Sequence, residues 1–324
     1  MVMKDIKLLL KEIEEKKLRL ENLGGLSKNL DEWYKVELTY TSNAIEGNTL
    51  SRTETALVLD KGLTVAGKSI QEHLEASNHS QAWEWIVRKA GIRNYKFCER
   101  DLLELHQLIL QKIDDFSAGR YRNVAVRLAG SRAILPNPAK VPDLMKKYFS
   151  WLGLKSDNKI LRACEAHYRL VSIHPFTDGN GRTARLVMNL LLLVAGYPPI
   201  IVRREDRHEY LTGLELAQLG GSSDKYYRLM LEGLSRSLDI YLEATGEQPK
   251  TEKKLLKIGE LAKLSGESVA TIRHWTKLGL LPVAGYTKGE YQLYDHKLVG
   301  TIKRIRELQK EKRLSLEEIK KELD

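Results

Sequence analysis

Apolar residues recur every three or four positions along most of this chain. Ile6, Leu9, Ile13 and Leu20 line one face of a helix over residues 4–20. The same spacing predicts a helix from Asp31 to Ile45, then helices at about 69–90, 99–113, 142–153, 159–172, 180–195, 205–219 and 223–244. Gly47 reads as the C-cap of the second helix. Ser51-Arg-Thr-Glu54 reads as a capping box opening the next. One stretch breaks the period. Asn123-Val-Ala-Val-Arg-Leu128 and Arg132-Ala-Ile-Leu135 flank Ala-Gly-Ser, the pattern of a β-hairpin. Pro136 and Pro138 end its second strand, because proline cannot donate to a ladder.

Past residue 245 the pattern changes. Residues 245–254 are polar, hold Gly and Pro, and have no apolar period, so a linker divides the chain there. Beyond it, Ile258, Leu261, Ala262, Val269 and Ile272 supply the core of a helix–turn–helix, with Ser265-Gly266 as its turn. Leu278-Gly-Leu-Leu-Pro282 ends its second helix, and Gly289 to Tyr294 reads as a wing strand. Asp295 is placed to cap a long last helix, and Ser315 a short one. The expected fold is mainly α: a helical bundle with a hairpin over 1–245, a linker over 246–256, and a small winged helix–turn–helix over 257–324.

Composition narrows the class. The chain has 324 residues, 42% hydrophobic and 30% charged, as ordinary globular proteins have. Cys98 and Cys164 form no CxxC pair and fit a reducing compartment. The N-terminus lacks the uncharged run of a secretory signal. The most apolar segment, Leu186 to Val202, is interrupted by Asn189, Gly196, Pro198 and Pro199. A cytoplasmic protein with no membrane span is expected. The net charge of +10 is uneven: Lys250 to Asp324 carries 17 Lys and Arg against 11 Asp and Glu. That surplus suits nucleic acid, and equally a solvated helical face.

The densest chemistry lies in His174-Pro-Phe-Thr-Asp-Gly-Asn-Gly-Arg-Thr-Ala-Arg185. Asp178-Gly-Asn-Gly falls between two helices, where glycines let backbone N–H groups converge on an anion at a helix N-terminus. Arg182 and Arg185 share a face of the following helix and suit phosphate oxygens. Asp178 is placed to hold a Mg²⁺ that bridges phosphates. His174, with an ordinary pKa of about 6.5, suits a base near neutral pH. A turn with a helix cap accounts for Asp178-Gly-Asn-Gly alone. It does not account for His174, Pro175, Phe176, Arg182 and Arg185 at fixed offsets around it.

These residues resemble the signature of the Fic family, HPFx(D/E)GNGRxxR, with no departure. The similarity extends over roughly residues 30–245. It implies a helical bundle with a β-hairpin flap, and an activity that moves AMP from ATP to a Ser, Thr or Tyr hydroxyl of a target protein or of the chain itself. It implies that His174 takes the hydroxyl proton and Asp178 binds Mg²⁺. Gly179, Asn180 and Gly181 would cradle phosphates, Arg182 would bind the β/γ-phosphates, and Arg185 would hold the γ-phosphate. Phe176 would anchor the loop in the core. Tyr210 falls at the adenine-packing position and Gln218 where close relatives carry Asn. Tyr210 also fits a packing aromatic on an amphipathic helix.

Two further segments follow from the resemblance. Residues 123–136 match the flap, which pairs with the target's backbone as an added strand, with Ile134, Leu135 and Pro136 as contacts. The alternative is a hairpin that covers the core. Thr41-Ser42-Asn-Ala-Ile-Glu46-Gly47 resembles the family's inhibitory motif, (S/T)xxxE(G/N), within the region 31–47. Glu46 would then pair with Arg185 as one half of a buried ion pair, with Ser42 at the motif's start. In some relatives the same glutamate helps water remove AMP.

The C-terminal segment resembles the winged helix–turn–helix of the MerR family over about 65 residues. Ser268, Thr271 and Arg273 would face DNA, with Arg273 on a phosphate. The chain departs from that pattern at His274 and Trp275, where Tyr is usual, and at Gln292, where the wing usually has Arg. A protein-docking winged helix is the other reading. The leading expectation is an autoinhibited, Mg²⁺-dependent protein adenylyltransferase that binds DNA through 257–324, with a homodimer left open. Its alternatives are the reverse hydrolase and a transcription regulator that senses nucleotide.

Overall fold

The computed structural model describes residues 2–26, 30–128, 130–245, 255–286, 291–295, 298–311, 316 and 318–319. Contacts divide the chain into two units, Met1–Gln248 and Pro249–Asp324. The residues predicted as linker lie outside the described ones, except at their C-terminal end.

The first unit is a bundle of ten α-helices: α1 (Val2–Asn22), α2 (Asp31–Ile45), α3 (Arg52–Lys61), α4 (Ile70–Ala90), α5 (Glu99–Leu110), α6 (Val141–Leu152), α7 (Lys159–Ile173), α8 (Asn180–Val194), α9 (Arg207–Gln218) and α10 (Asp224–Ala244). Their bounds follow the apolar period closely; α5 stops three residues short of the expectation. Ser51 and Ser69 cap α3 and α4 in capping boxes with Glu54 and Glu72. Helix α8 sits at the centre, packed by α7, α4, α5 and α2. It is buried on every face from Arg182 to Leu190. Two arginines inside such a helix need partners, since an unpaired buried charge is costly. Among the described residues no helix is long and apolar enough to cross a membrane.

The segment 123–136 differs from the expected hairpin. Its chain reverses through a turn in which Ser131 N–H donates to the Leu128 carbonyl at 3.2 Å. Among the described residues no ladder joins its two arms. Side chains hold three of its backbone groups instead. The Arg122 guanidinium donates to the Val124 and Pro136 carbonyls at 3.0 and 2.6 Å. Glu215 accepts the Arg132 N–H at 2.7 Å.

The second unit is a winged helix–turn–helix. Strand β1 (Leu256–Lys257) leads to α11 (Ile258–Ser265) and α12 (Val269–Lys277), then β2 (Gly285–Tyr286), β3 (Gln292–Tyr294) and α13 (Leu298–Glu311). The sheet order is β1-β3-β2, both pairs antiparallel. Gly266, at φ +74°, closes α11 in the left-handed region and makes the tight turn. Leu261, Ile272, Trp275, Tyr294, Ile302 and Ile305 form this unit's own core. The start of the predicted wing strand and the Ser315 cap fall outside the described residues. At Asp295, the backbone carbonyl accepts the Leu298 N–H at 3.1 Å.

Candidate active site

Helix α7 is closed by His174, whose backbone takes φ +51°, a left-handed conformation uncommon for a residue with a Cβ. The bend carries the chain across to α8 within six residues. Three contacts impose that path. Asn180 brackets Phe176, accepting its N–H and donating to its carbonyl, both at 2.9 Å. Phe176 is fully buried and stacks on His106 at 3.6 Å between ring centroids. His106 accepts the Gly119 N–H through Nδ1 at 2.9 Å, so its Nε2–H donates to the Asp178 carbonyl at 3.0 Å. Burial holds the His106 pKa down to about 4, which keeps this tautomer neutral. Gly179, at φ +71°, admits no Cβ without crowding Ile109 and His106 at 3.2 and 3.4 Å.

The His174 ring is set by a fourth contact. Its Nδ1 lies 3.3 Å from the Val171 carbonyl, which only accepts, so Nδ1 carries the proton and Nε2 the lone pair. Burial lowers the pKa below the ordinary imidazole value, and the Arg122 charge adds to that; Val171, Glu46 and Asp178 oppose it. The result is a neutral imidazole with a free basic nitrogen near neutral pH.

The N-terminus of α8 is built for an anion. Asp178 lies beside it, 64% exposed, with Oδ1 accepting the Gly179 N–H at 2.6 Å and Oδ2 3.3 Å from Arg182. Arg182 is 3% exposed, and its Nε and Nη1 have no hydrogen-bond acceptor, though the Glu75 carboxylate stands 3.4 Å from Nη1. Arg185 is equally buried and fully engaged. Its Nε donates to Ser42 Oγ at 2.9 Å, and its Nη2 to the Ser42 carbonyl at 2.9 Å and to Glu46 at 2.7 Å. Burial pulls the Arg185 pKa down, but Glu46 and Tyr210 outweigh it and leave the pKa raised. A Cβ on Gly181 would lie 2.3 Å from Glu46 Oε1. The Glu46 carboxylate therefore rests on bare glycine at the positive end of the α8 dipole, a position that favours negative charge. Its side chain is 40% exposed, so the pair is buried on the arginine's side only.

Asp178 suits an ion that takes one carboxylate and completes its shell with water and substrate phosphates, as Mg²⁺ does. Among the described residues no three His, Cys, Asp or Glu gather as a cage.

Other predicted residues fall elsewhere. Tyr210 lies in the core at 2% exposure, its hydroxyl facing His167 at 2.9 Å and Arg185 at 3.4 Å, so its ring has no open face for a base. Gln218 ends α9 and reaches Ser172 at 3.4 Å. The Asn180 side chain staples the loop rather than facing the anion site. Ile134 is 94% exposed, while Leu135 and Pro136 are half-buried. In the second unit, Ser268 caps α12 and meets the Thr271 hydroxyl at 2.8 Å, and Arg273 is exposed.

Sequence reasoning missed Arg122, His106, His167 and Glu75. Arg122 is 4% exposed and ties three segments, because its Nε also donates to the His174 carbonyl at 2.7 Å. No spacing pattern marks a residue that acts through carbonyls distant in sequence.

Comparison with protein families matches residues 96–192 to the Fic/DOC family and residues 256–324 to the MerR HTH family of regulatory proteins. The protein adenylyltransferase Fic of Culex quinquefasciatus is 38% identical over 227 residues, covering 69% of this chain and 45% of that relative. The chain thus spans about half the length of the curated relatives it matches. Residues 134–508 of Fic-1 from C. elegans superpose with a TM-score of 0.68 at 32% identity, covering 76% of this chain and 74% of that one. A Fic domain containing signaling protein from Bacteroides thetaiotaomicron gives a TM-score of 0.67 at 29% identity, covering 73% and 98%. The bent loop, the buried arginines and these likenesses agree: the chain belongs to the Fic family.

Proposed function

We propose that this chain transfers AMP from ATP to a hydroxyl side chain of a protein, and that Glu46 restrains it. The observation that carries this reading is the anion cradle at the start of α8: a carboxylate seated on Gly181, with a buried arginine nearby on the same helix whose Nε lacks a hydrogen-bond acceptor. In this reading His174 Nε2 takes the proton of the target hydroxyl. The hydroxyl oxygen bonds to the α-phosphorus, the bond to the bridging oxygen breaks, and pyrophosphate leaves. Arg182, Arg185 and the N–H groups at the start of α8 stabilise the charge that grows on the leaving group. Mg²⁺, held by Asp178 and the phosphates, would supply further charge stabilisation there. The flap over 123–136 offers Ile134 and its neighbours as an edge for an extended target segment. The relatives named protein adenylyltransferase support this activity.

Hydrolytic removal of AMP from the target, with water attacking the phosphorus and the target hydroxyl leaving, is the second reading. Glu46 is 40% exposed, so a water molecule can reach its carboxylate beside the same cradle. For the second unit, about residues 257–324, we propose duplex DNA as partner. The match to a family of DNA-reading regulators and the exposed Arg273 on α12 support it.

Incubating the Glu46→Gly chain with α-labelled ATP and Mg²⁺ tests the first proposal. Protein-bound label that disappears in Glu46→Gly/His174→Ala is expected; ATP binding without label at any target would refute transfer. For DNA, a mobility shift by the full chain should weaken on Arg273→Ala and as salt rises.

A further inference from the structure

A single chain of hydrogen bonds runs from Arg185 into the core, and every proton in it has a fixed direction. The Tyr226 hydroxyl donates to the Cys164 carbonyl at 2.8 Å, since a carbonyl only accepts. Its one proton is thereby used. His167 Nδ1, 2.8 Å from the same hydroxyl, must be the donor there. Burial and the Arg185 charge press the His167 pKa down to about 3, so the ring is neutral and carries a single proton. Nε2 is therefore an acceptor, and the Tyr210 hydroxyl, 2.9 Å away, must donate to it. The Tyr210 oxygen has no proton left for a phosphate. It presents lone pairs, 3.4 Å from Arg185 Nη1.

The arginine's other partners, Ser42 and Glu46, lie on α2 or at its end. A displacement of α2 that moves Glu46 aside would disturb the Ser42 bonds as well. Tyr210 belongs to α9 and His167 to α7, and the bonds between their side chains involve no residue of α2, although Arg207 at the start of α9 donates to the Ile45 carbonyl at 2.8 Å. We infer that His167 and Tyr210 are positioning residues that keep Arg185 aimed at the anion site when the α2 contacts are released. This rests on the proposed reading of Arg185 as a phosphate ligand. A tyrosine locked as an acceptor suits this task, because it answers a guanidinium and cannot compete for the anion.

The test reads nucleotide binding, separately from transfer. In the Glu46→Gly chain, ATP and AMP affinities are measured by calorimetry for Tyr210→Phe, His167→Asn and His167→Gln. Gln places an amide oxygen where Nε2 stood and keeps the acceptor for Tyr210; Asn reaches only the Nδ1 position. Tyr210→Phe and His167→Asn should weaken ATP about tenfold and leave AMP within about twofold, as expected for a bond to a charged group. His167→Gln should stay within about threefold for ATP. Equal losses for Asn and Gln, or equal losses for ATP and AMP, would mean that the pair only packs the core, and the inference fails. A Glu46→Gly chain that binds ATP normally yet transfers no AMP would sink the proposed function and leave this inference standing. One that binds no ATP would sink both.

Discussion

The loop from His174 to Arg185 and the flap from Asn123 to Pro136 both border the candidate site, and they are held in opposite ways. The loop is fixed from inside at nearly every residue: Asn180 staples it, His106 stacks beneath it, and Arg122 grips the His174 carbonyl. Among the described residues, side-chain bonds from outside the flap reach it at its base, from Arg122, and at its tip, from Glu215. Between those points its arms carry no ladder, and Ile134 projects almost fully into solvent. Groups that meet a constant reactant gain from pre-organisation. A surface that must pair with a variable backbone gains from unspent edge groups. The division predicts that loop substitutions lower the rate whatever the target, while flap substitutions alter only how well the target binds.

The strongest break is His174→Ala. Removing the proposed base should cut AMP transfer by about 10²–10⁴-fold, read as label incorporated per minute, with ATP binding preserved. The pH profile sharpens the point. Burial lowers the His174 pKa, so its basic form persists below the ordinary imidazole range. The transfer rate should stay level as pH falls through 6.5 and drop only below it. A drop centred at or above pH 6.5 would contradict the assignment.

Next in size is Glu46→Gly. The carboxylate contributes one charge-assisted bond to Arg185 and is 40% exposed, so water screens part of its attraction. A gain of roughly 10–100-fold in transfer rate is expected, by the range for hydrogen bonds to charged groups. Equal rates for the two chains would show that Glu46 restrains nothing. A gain far above that range would mean that α2 blocks the nucleotide by more than this bond.

Acid should loosen the loop before the flap. His106, beneath the loop, has its pKa lowered to about 4, and His79 and His167, near the two arginines, theirs to about 3, each chiefly by burial. In the unfolded chain each would titrate near 6.5. Their stabilising contribution is therefore complete above about pH 6.5. It is lost as pH falls toward 4 and then 3, by about 1.4 kcal/mol per pH unit for each histidine. Denaturant midpoints should fall steeply over that window. In His106→Gln, which keeps a side-chain amide near the Asp178 carbonyl, the slope should be shallower.

Much of this arrangement was legible in the sequence, and the illegible part has one physical cause. Apolar period, serine caps and helix-ending glycines are local, so α1 to α13 could be placed within a few residues. The loop motif was legible because its chemistry is contiguous. Glu46 was found only through resemblance to a known inhibitory motif. Its contact with Arg185 spans 139 positions, and nothing local points to it. The flap was misread as a ladder because alternation records which residues suit an extended chain, not what bonds to its backbone. Tyr210 reads equally as an adenine-packing and as a core aromatic in the sequence, because an aromatic on a helix face looks the same whether its hydroxyl meets water or a buried arginine. Arg122, His106 and His167 stayed hidden because their partners are backbone carbonyls and side chains dozens of residues away.

The smallest expected effect is the one that tests the comparison most directly. Glu215 holds the flap tip through the Arg132 N–H at 2.7 Å and the Ser131 hydroxyl at 3.1 Å, and those bonds lower its pKa. Glu215→Ala releases the tip and leaves the Arg122 clamp at the base untouched. A free tip loses its fixed angle but keeps its edge groups. In the Glu46→Gly chain the KM for a protein target should change by about three- to fivefold, the scale of a screened surface contact. The KM for ATP and the rate at saturating target should stay constant, since no loop contact has changed. If Glu215→Ala instead lowers the saturated rate, the tip takes part in aligning the target hydroxyl with His174. The flap would then belong with the loop as part of the pre-organised chemistry.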